Sequence, residues 1–211
     1  GITIDQYNID GYAISPYKMY SRHGYGLAWV SDRLTKMNHE QLFDGPSENW
    51  ELGTRDTGSY ATISNVVQYL EWLGEKIENT ESRSVKLYNA AKAIAAQETA
   101  LTDLMINGED NIKGLKDLSG VEIIGGLKNP NRSGLVSFRI NGTSSHLLVD
   151  FLNDKGIRTH VRKADHYSGN ILDPLGWEDC VRVSVCHYNS SEEIKSLLLA
   201  LNEFQLDAVT N

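Results

Sequence analysis

Ser15-Pro16-Tyr17-Lys18-Met19-Tyr20-Ser21-Arg22-His23-Gly24-Tyr25-Gly26-Leu27-Ala28-Trp29-Val30 is the stretch from which the chain becomes readable. The apolar run Tyr12-Ala13-Ile14 stops at Ser15-Pro16, Lys18 follows, and Gly24 and Gly26 punctuate a turn before the second apolar run, Leu27 to Val30. Such a pattern predicts two strands joined by a turn, with Lys18 at a strand end. A lysine amine is nucleophilic only when neutral, so an amine fixed at a strand end suits imine chemistry better than one at a free tip. A solvated lysine beside a hairpin is the plain alternative.

Outward from this stretch, a polar connection from Thr35 to Thr54 contains Gly45-Pro46 and is long enough to carry contacts of its own. Ile63, Val66, Val67, Leu70 and Leu73 recur at helical spacing, with Gly74 as a candidate break. A second helix is predicted from about Ser82 to Met105, carrying Val85, Leu87, Ala91, Ile94, Ala95, Leu101 and Leu104 on its apolar side. After Gly108 short strands take over: Val121 to Ile124, Gly134 to Ile140, Ile157 to Val161 and Val181 to Val185. One helix starts at Thr143-Ser144-Ser145, buries Leu147, Leu148, Phe151 and Leu152, and ends at Gly156; another starts at Ser190 or Ser191 and buries Ile194, Leu197, Leu198 and Leu201. The result is an α/β chain whose last part is a strand-helix-strand-strand-helix lobe. Three regions are expected: residues 1–75 as part of a larger domain, 76–107 as a connecting helix, and 108–211 as a small α/β domain.

The 211 residues carry a formal charge of −8, which argues against nucleic-acid or anionic-membrane partners, since those need dense Lys and Arg. No stretch reaches the roughly 18 apolar residues of a membrane helix and no signal core precedes the first strand, so the cytoplasm is the expected compartment. Cys180 and Cys186, in or beside one strand, read as free thiols. No metal-ligand pattern is evident.

Two further segments are unusual. Gly53-Thr54-Arg55 precedes a helix and offers backbone N–H groups and a hydroxyl to a phosphate, or simply caps the helix. Arg182 sits inside the apolar run Val181-Arg182-Val183-Ser184-Val185, where a permanent charge needs an anionic partner such as a carboxylate, or the wet face of an edge strand.

The run Asp10-Gly11-Tyr12-Ala13-Ile14-Ser15-Pro16-Tyr17-Lys18-Met19-Tyr20 through Gly24–Val30 resembles the lysine segment of the class V aminotransferase family. That family includes cysteine desulfurases, selenocysteine lyases and isopenicillin N epimerases. Glu51-Leu52-Gly53-Thr54-Arg55-Asp56 is similar to the family's phosphate turn, and the segment from Cys180 to Ile194 to its last strand and helix, all in the family's order. The resemblance implies the end of a fold type I, pyridoxal-phosphate-dependent large domain followed by an α+β small domain. It implies Lys18 as the Schiff-base lysine that shuttles the α-proton. Gly53 and Thr54 would hold the cofactor phosphate, in this family commonly that of the neighbouring subunit, and Arg182 the α-carboxylate of an amino acid or keto acid. His160, His166 and Tyr167 either line the substrate entrance, His166 in contact with substrate, or are surface polar residues.

The departures are equally specific. Tyr17 stands where the family usually has histidine. The loop that presents a nucleophilic cysteine in desulfurases reads Arg158-Thr159-His160-Val161-Arg162-Lys163-Ala164-Asp165-His166-Tyr167-Ser168-Gly169-Asn170, with no cysteine, which argues against a persulfide route. Only 17 residues precede Lys18, and Asp5 and Asp10 lie too near it for the pyridinium partner, so the chain reads as the C-terminal half of an aminotransferase, lyase or epimerase. A homodimer is expected from apolar surface on residues 1–75. The competing expectation is a non-catalytic, dimerising module of the same fold that binds no cofactor.

Overall fold

A computed structural model describes residues 4–54 and 56–210, with the side chains of residues 207–210 outside the description. The chain forms two units, Gly1–Lys92 and Ala93–Asn211, dividing inside a helix.

In the first unit, β1 (Gly11–Ile14) and β2 (Leu27–Val30) pair antiparallel with Ile14 opposite Leu27 and Gly11 opposite Val30. The base of this hairpin is pinned by Asp10, whose carboxylate accepts from Ser31 Oγ at 2.7 Å and from Arg33 Nε at 2.9 Å. The short helix α1 (Asp32–Thr35) follows, with Ser31 Oγ accepting from the Leu34 N–H as its cap. Residues 36–54 form an irregular connection in which His39 stacks on Trp50 at 4.6 Å between ring centroids. Helix α2 (Thr57–Ile77) is capped by Asp56. Its stripe buries Val66 fully and Ile63, Val67, Leu70 and Leu73 in part. Gly74 does not break this helix. It is buried where the next helix, α3 (Arg83–Asn107), crosses, and an added Cβ would stand 1.8 Å from the Lys86 carbonyl oxygen.

In the second unit, a tight turn at Asp110 (φ 47°) and Asn111 joins β3 (Gly108–Glu109) to β4 (Ile112–Lys113). The main sheet contains β5 (Val121–Ile123), β6 (Leu135–Ile140), β7 (His160–Lys163) and β8 (Asp179–Ser184) in the antiparallel order β5-β6-β8-β7. Helix α4 (Ser145–Asp154) links β6 to β7, α5 (Gly169–Leu172) lies in the β7–β8 connection, and α6 (Ser191–Thr210) closes the fold. Glu193 and Ser190 cap α6 reciprocally: the Ser190 N–H donates to Glu193 Oε2 at 2.7 Å, and the Glu193 N–H to Ser190 Oγ at 3.2 Å.

Strand alternation decides which side of the sheet is apolar. Val136, Phe138, Val181 and Val183 point to one side and pack with Leu148 and Leu152 of α4, Leu197, Leu198 and Leu201 of α6, and Met105 of α3. The sequence expectation placed Leu147 in this core, but it is exposed and Val149 is buried instead. Cys180 lies on the opposite side and joins a small second cluster with Leu172 and Trp177. Both cysteines are free. Among the described residues no helix is long and apolar enough to cross a membrane.

Candidate functional site

Lys18 lies in a single 3₁₀ turn, Pro16–Met19, that begins at the buried Pro16 and ends at Tyr20 with φ 71°. Proline fixes the entry dihedral and the left-handed Tyr20 turns the chain away, so the lysine sits on a short, geometrically defined step between β1 and β2. Its side chain is exposed. The ammonium lies 5.8 Å from the Tyr17 ring centroid, and Tyr17 in turn packs on His23 at 4.7 Å. No hydrogen bond or ion pair engages Lys18 Nζ among the described residues.

The segment after Lys18 is anchored on α2. Ser21 Oγ lies 2.6 Å from Tyr25 Oη and 2.7 Å from Thr62 Oγ1, and the Tyr25 and Tyr60 rings meet edge to face at 5.9 Å. Arg22 Nη1 reaches Asp56 Oδ2 at 3.6 Å. The Gly53-Thr54 turn precedes this helix start. Nothing lies within 4 Å of a Cβ built on Gly53, and the Thr54 side chain is exposed. Arg55, the third residue of the expected turn, is outside the described residues. Asp56 occupies part of the helix N-terminus itself: its carboxylate accepts from Ser59 Oγ at 2.7 Å and from the Ser59 N–H at 3.1 Å. Those hydrogen bonds, led by the Ser59 hydroxyl and aided by Arg22, hold Asp56 below the usual carboxylate range.

Arg182 belongs to the second unit. It stands on β8, an interior strand of the sheet and not an edge, opposite Ser137 on β6 and His160 on β7. Ser137, Cys180, Arg182 and Arg162 share the side of the sheet away from the main core and line a pocket of 350 Å³ with Tyr167 and Ser168. The Arg182 Nε is buried without a hydrogen-bond partner. Burial, then the neighbouring Arg162, pulls the Arg182 pKa down from its ordinary value.

The loop over this pocket is shaped by Asp165, whose Oδ1 accepts from the N–H groups of Tyr167 at 2.9 Å and Ser168 at 3.0 Å. Ser168 and Tyr167 line the pocket; His166 is exposed beside it, its ring 4.1 Å from that of Tyr167. The sequence alone does not place Arg162, Cys180 or Ser137 in the site. The signal that finds them is the strand register, which sets Arg162 opposite Cys180 and Ser137 opposite Arg182. Among the described residues no cluster of His, Cys, Asp and Glu is arranged to hold a metal ion.

A lysine hairpin, a long helix and a four-stranded antiparallel lobe follow one another in the chain, and solved structures of the fold type I class share this fold. The cysteine desulfurase CsdA from Escherichia coli superposes with a TM-score of 0.69 at 22% identity, covering 95% of this chain and 47% of that one. The apo cysteine desulfurase from Thermococcus onnurineus NA1 gives 0.66 at 22% identity, covering 92% and 46%. In sequence, a protein of Xylella fastidiosa (strain Temecula1 / ATCC 700964) described as "Probable cysteine desulfurase" is 27% identical over 215 residues, which span 95% of this chain and 45% of the relative. The family profile described as Aminotransferase class-V matches residues 1–197, and the chain belongs to that family. It spans about half the length of the curated relatives it matches.

Proposed function

We propose that this chain contributes the reactive lysine and the carboxylate-binding arginine of a pyridoxal-phosphate-dependent enzyme acting on an amino acid or keto acid. The observation that carries the reading is Lys18, an amine with no hydrogen-bond or ion-pair partner among the described residues, set on a proline-started turn between two paired strands. The residues present fit the cofactor on the side that they form. Lys18 is open to an aldehyde, Thr54 offers a free hydroxyl, and the backbone at Gly53 is unobstructed. Bound there, pyridoxal phosphate supplies the electron sink that makes an α-carbon bond labile.

The chain's own residues do the rest. Gly53 and Thr54 would bind phosphate oxygens of the cofactor, in the family's arrangement that of a neighbouring subunit. Lys18 Nζ would hold the cofactor and would accept or return the proton at the substrate α-carbon. Arg182, with its planar fork and buried Nε, takes the α-carboxylate and thereby orients the bond to be broken.

Relatives named cysteine desulfurases suggest sulfur chemistry, but the loop that would carry the nucleophilic cysteine does not support a persulfide route. The loop from Arg158 to Asn170 contains no cysteine. Burial pushes the Cys180 thiol up from its ordinary pKa, the opposite of what a thiolate nucleophile needs. Transamination, a lyase reaction or epimerisation at the α-carbon is the chemistry this reading favours. Exposed Tyr12, Tyr17 and Trp29 on the hairpin favour assembly with a second copy, which light scattering at micromolar concentration reads as a dimer; a stable monomer contradicts it.

Mixing the chain with pyridoxal phosphate is expected to give the visible absorption of a lysine imine, lost in Lys18→Ala and kept in Lys36→Ala. Unchanged absorption in Lys18→Ala overturns the assignment and favours the non-catalytic module.

A further inference from the structure

The pocket around Arg182 holds a second cation that the binding of one carboxylate does not require. Arg162 on β7 is opposite Cys180, and Arg182 is two residues further along β8 on the same side, so the two arginines are diagonal neighbours. Across an antiparallel pair such neighbours lie about 7–8 Å apart, within reach of each other's long side chains. Both line the same pocket, together with the hydroxyl-bearing Ser137, Ser168 and Tyr167, and no acidic residue is among its walls. Neither guanidinium has a hydrogen bond or an ion pair with a described residue. On the loop, Asp165 gives its Oδ1 to the N–H groups of Tyr167 and Ser168 and attracts Arg162 without a hydrogen bond or ion pair to it. Two half-buried, permanently charged groups set side by side repel each other, and folding tolerates this where a ligand of opposite charge neutralises both.

We infer that Arg162 binds a second acidic group of the substrate, so that the site selects a dicarboxylic amino acid or keto acid over a monocarboxylic one. This rests on the reading that Arg182 binds the first carboxylate. With Arg182 holding the α-carboxylate, Arg162 and the Ser137 or Ser168 hydroxyl receive the carboxylate of the side chain. Tyr167, which lines the same pocket, offers its ring to the methylene carbons between them. Two charge-assisted contacts in place of one also fix the rotation of the substrate about its own axis, which a single bidentate pair does not.

The test is calorimetric titration of the full chain with succinate and with butyrate, four-carbon probes that differ by one carboxylate. Succinate is expected to bind at least tenfold tighter, about the size of one added charge-assisted hydrogen-bonding contact. Arg162→Gln is expected to abolish that preference while butyrate binding persists, and Arg162→Lys to keep part of it; circular dichroism on each variant reads its fold. Equal affinity for the two probes, or a preference that survives Arg162→Gln, overturns the inference and leaves the Arg182 reading intact. Butyrate binding unchanged in Arg182→Gln, or no binding of either probe, overturns the reading beneath it and the inference with it.

Discussion

Arg22 Nη1 lies 3.6 Å from Asp56 Oδ2, joining the segment four residues after Lys18 to the residue that caps α2, two positions after Thr54. The pair is exposed on both sides and contributes little to stability by itself. The neighbouring hydroxyl contacts among Ser21, Tyr25 and Thr62 make the join firm. The consequence is that the lysine loop and the helix behind the Gly53-Thr54 turn form one piece within the first unit, although more than 30 residues separate them in sequence.

Thr54→Val removes one hydroxyl at nearly constant volume. If Thr54 binds the cofactor phosphate, affinity for pyridoxal phosphate falls by about tenfold or more, the loss of one hydrogen bond to a charged group. Affinity for pyridoxal, which has no phosphate, stays unchanged. Equilibrium titration with both compounds reads the difference, and an equal effect on the two removes Thr54 from the phosphate site.

Gly74→Ala places a methyl group 1.8 Å from the Lys86 carbonyl oxygen, a backbone atom that has no rotamer to escape into. The crossing of α2 and α3 must open, so the thermal midpoint falls even though alanine has the higher helix propensity. A melting temperature raised by the substitution contradicts this close approach.

Acid weakens the fold. Asp56 is held below its ordinary 3.8, chiefly by the Ser59 hydroxyl, and Glu122 below its ordinary 4.5, chiefly by the Asn141 side chain and then Arg139. A group whose folded pKa is depressed contributes stability that is present above its unfolded pKa and lost as pH falls through the folded value. Urea midpoints are therefore expected to stay level from neutrality to about pH 5 and to decline below it. Asp56→Asn makes that decline shallower. At the other end, Lys195 is raised by its contact with Glu109, and its contribution disappears as pH rises through its folded pKa.

Much of this architecture was legible in the chain because it depends on local pattern. The hairpin around Lys18, the long helices and the alternating strands follow from period and punctuation. Where the pattern misleads, a particular backbone contact decides. Gly74 looked like a helix stop, yet it is the residue that lets two helices touch. The strand expected from Ile157 begins at His160, because the Ile157 N–H is still occupied with the Leu152 carbonyl at the end of α4. Lys18, Thr54 and Arg182 stand out as candidates only through the resemblance of their segments to the family. Arg162 and Ser137 do not, since only the register of β6, β7 and β8 puts them beside Arg182.

The central claim is that Lys18 carries the cofactor. It is tested most directly by incubating the chain with pyridoxal phosphate, reducing with borohydride, and locating the pyridoxyl group in the digest by mass spectrometry. The account predicts a single predominant modified peptide containing Lys18, absent from Lys18→Ala. Labelling concentrated on another lysine, or spread evenly over the surface lysines with Lys18 no richer than the rest, contradicts it.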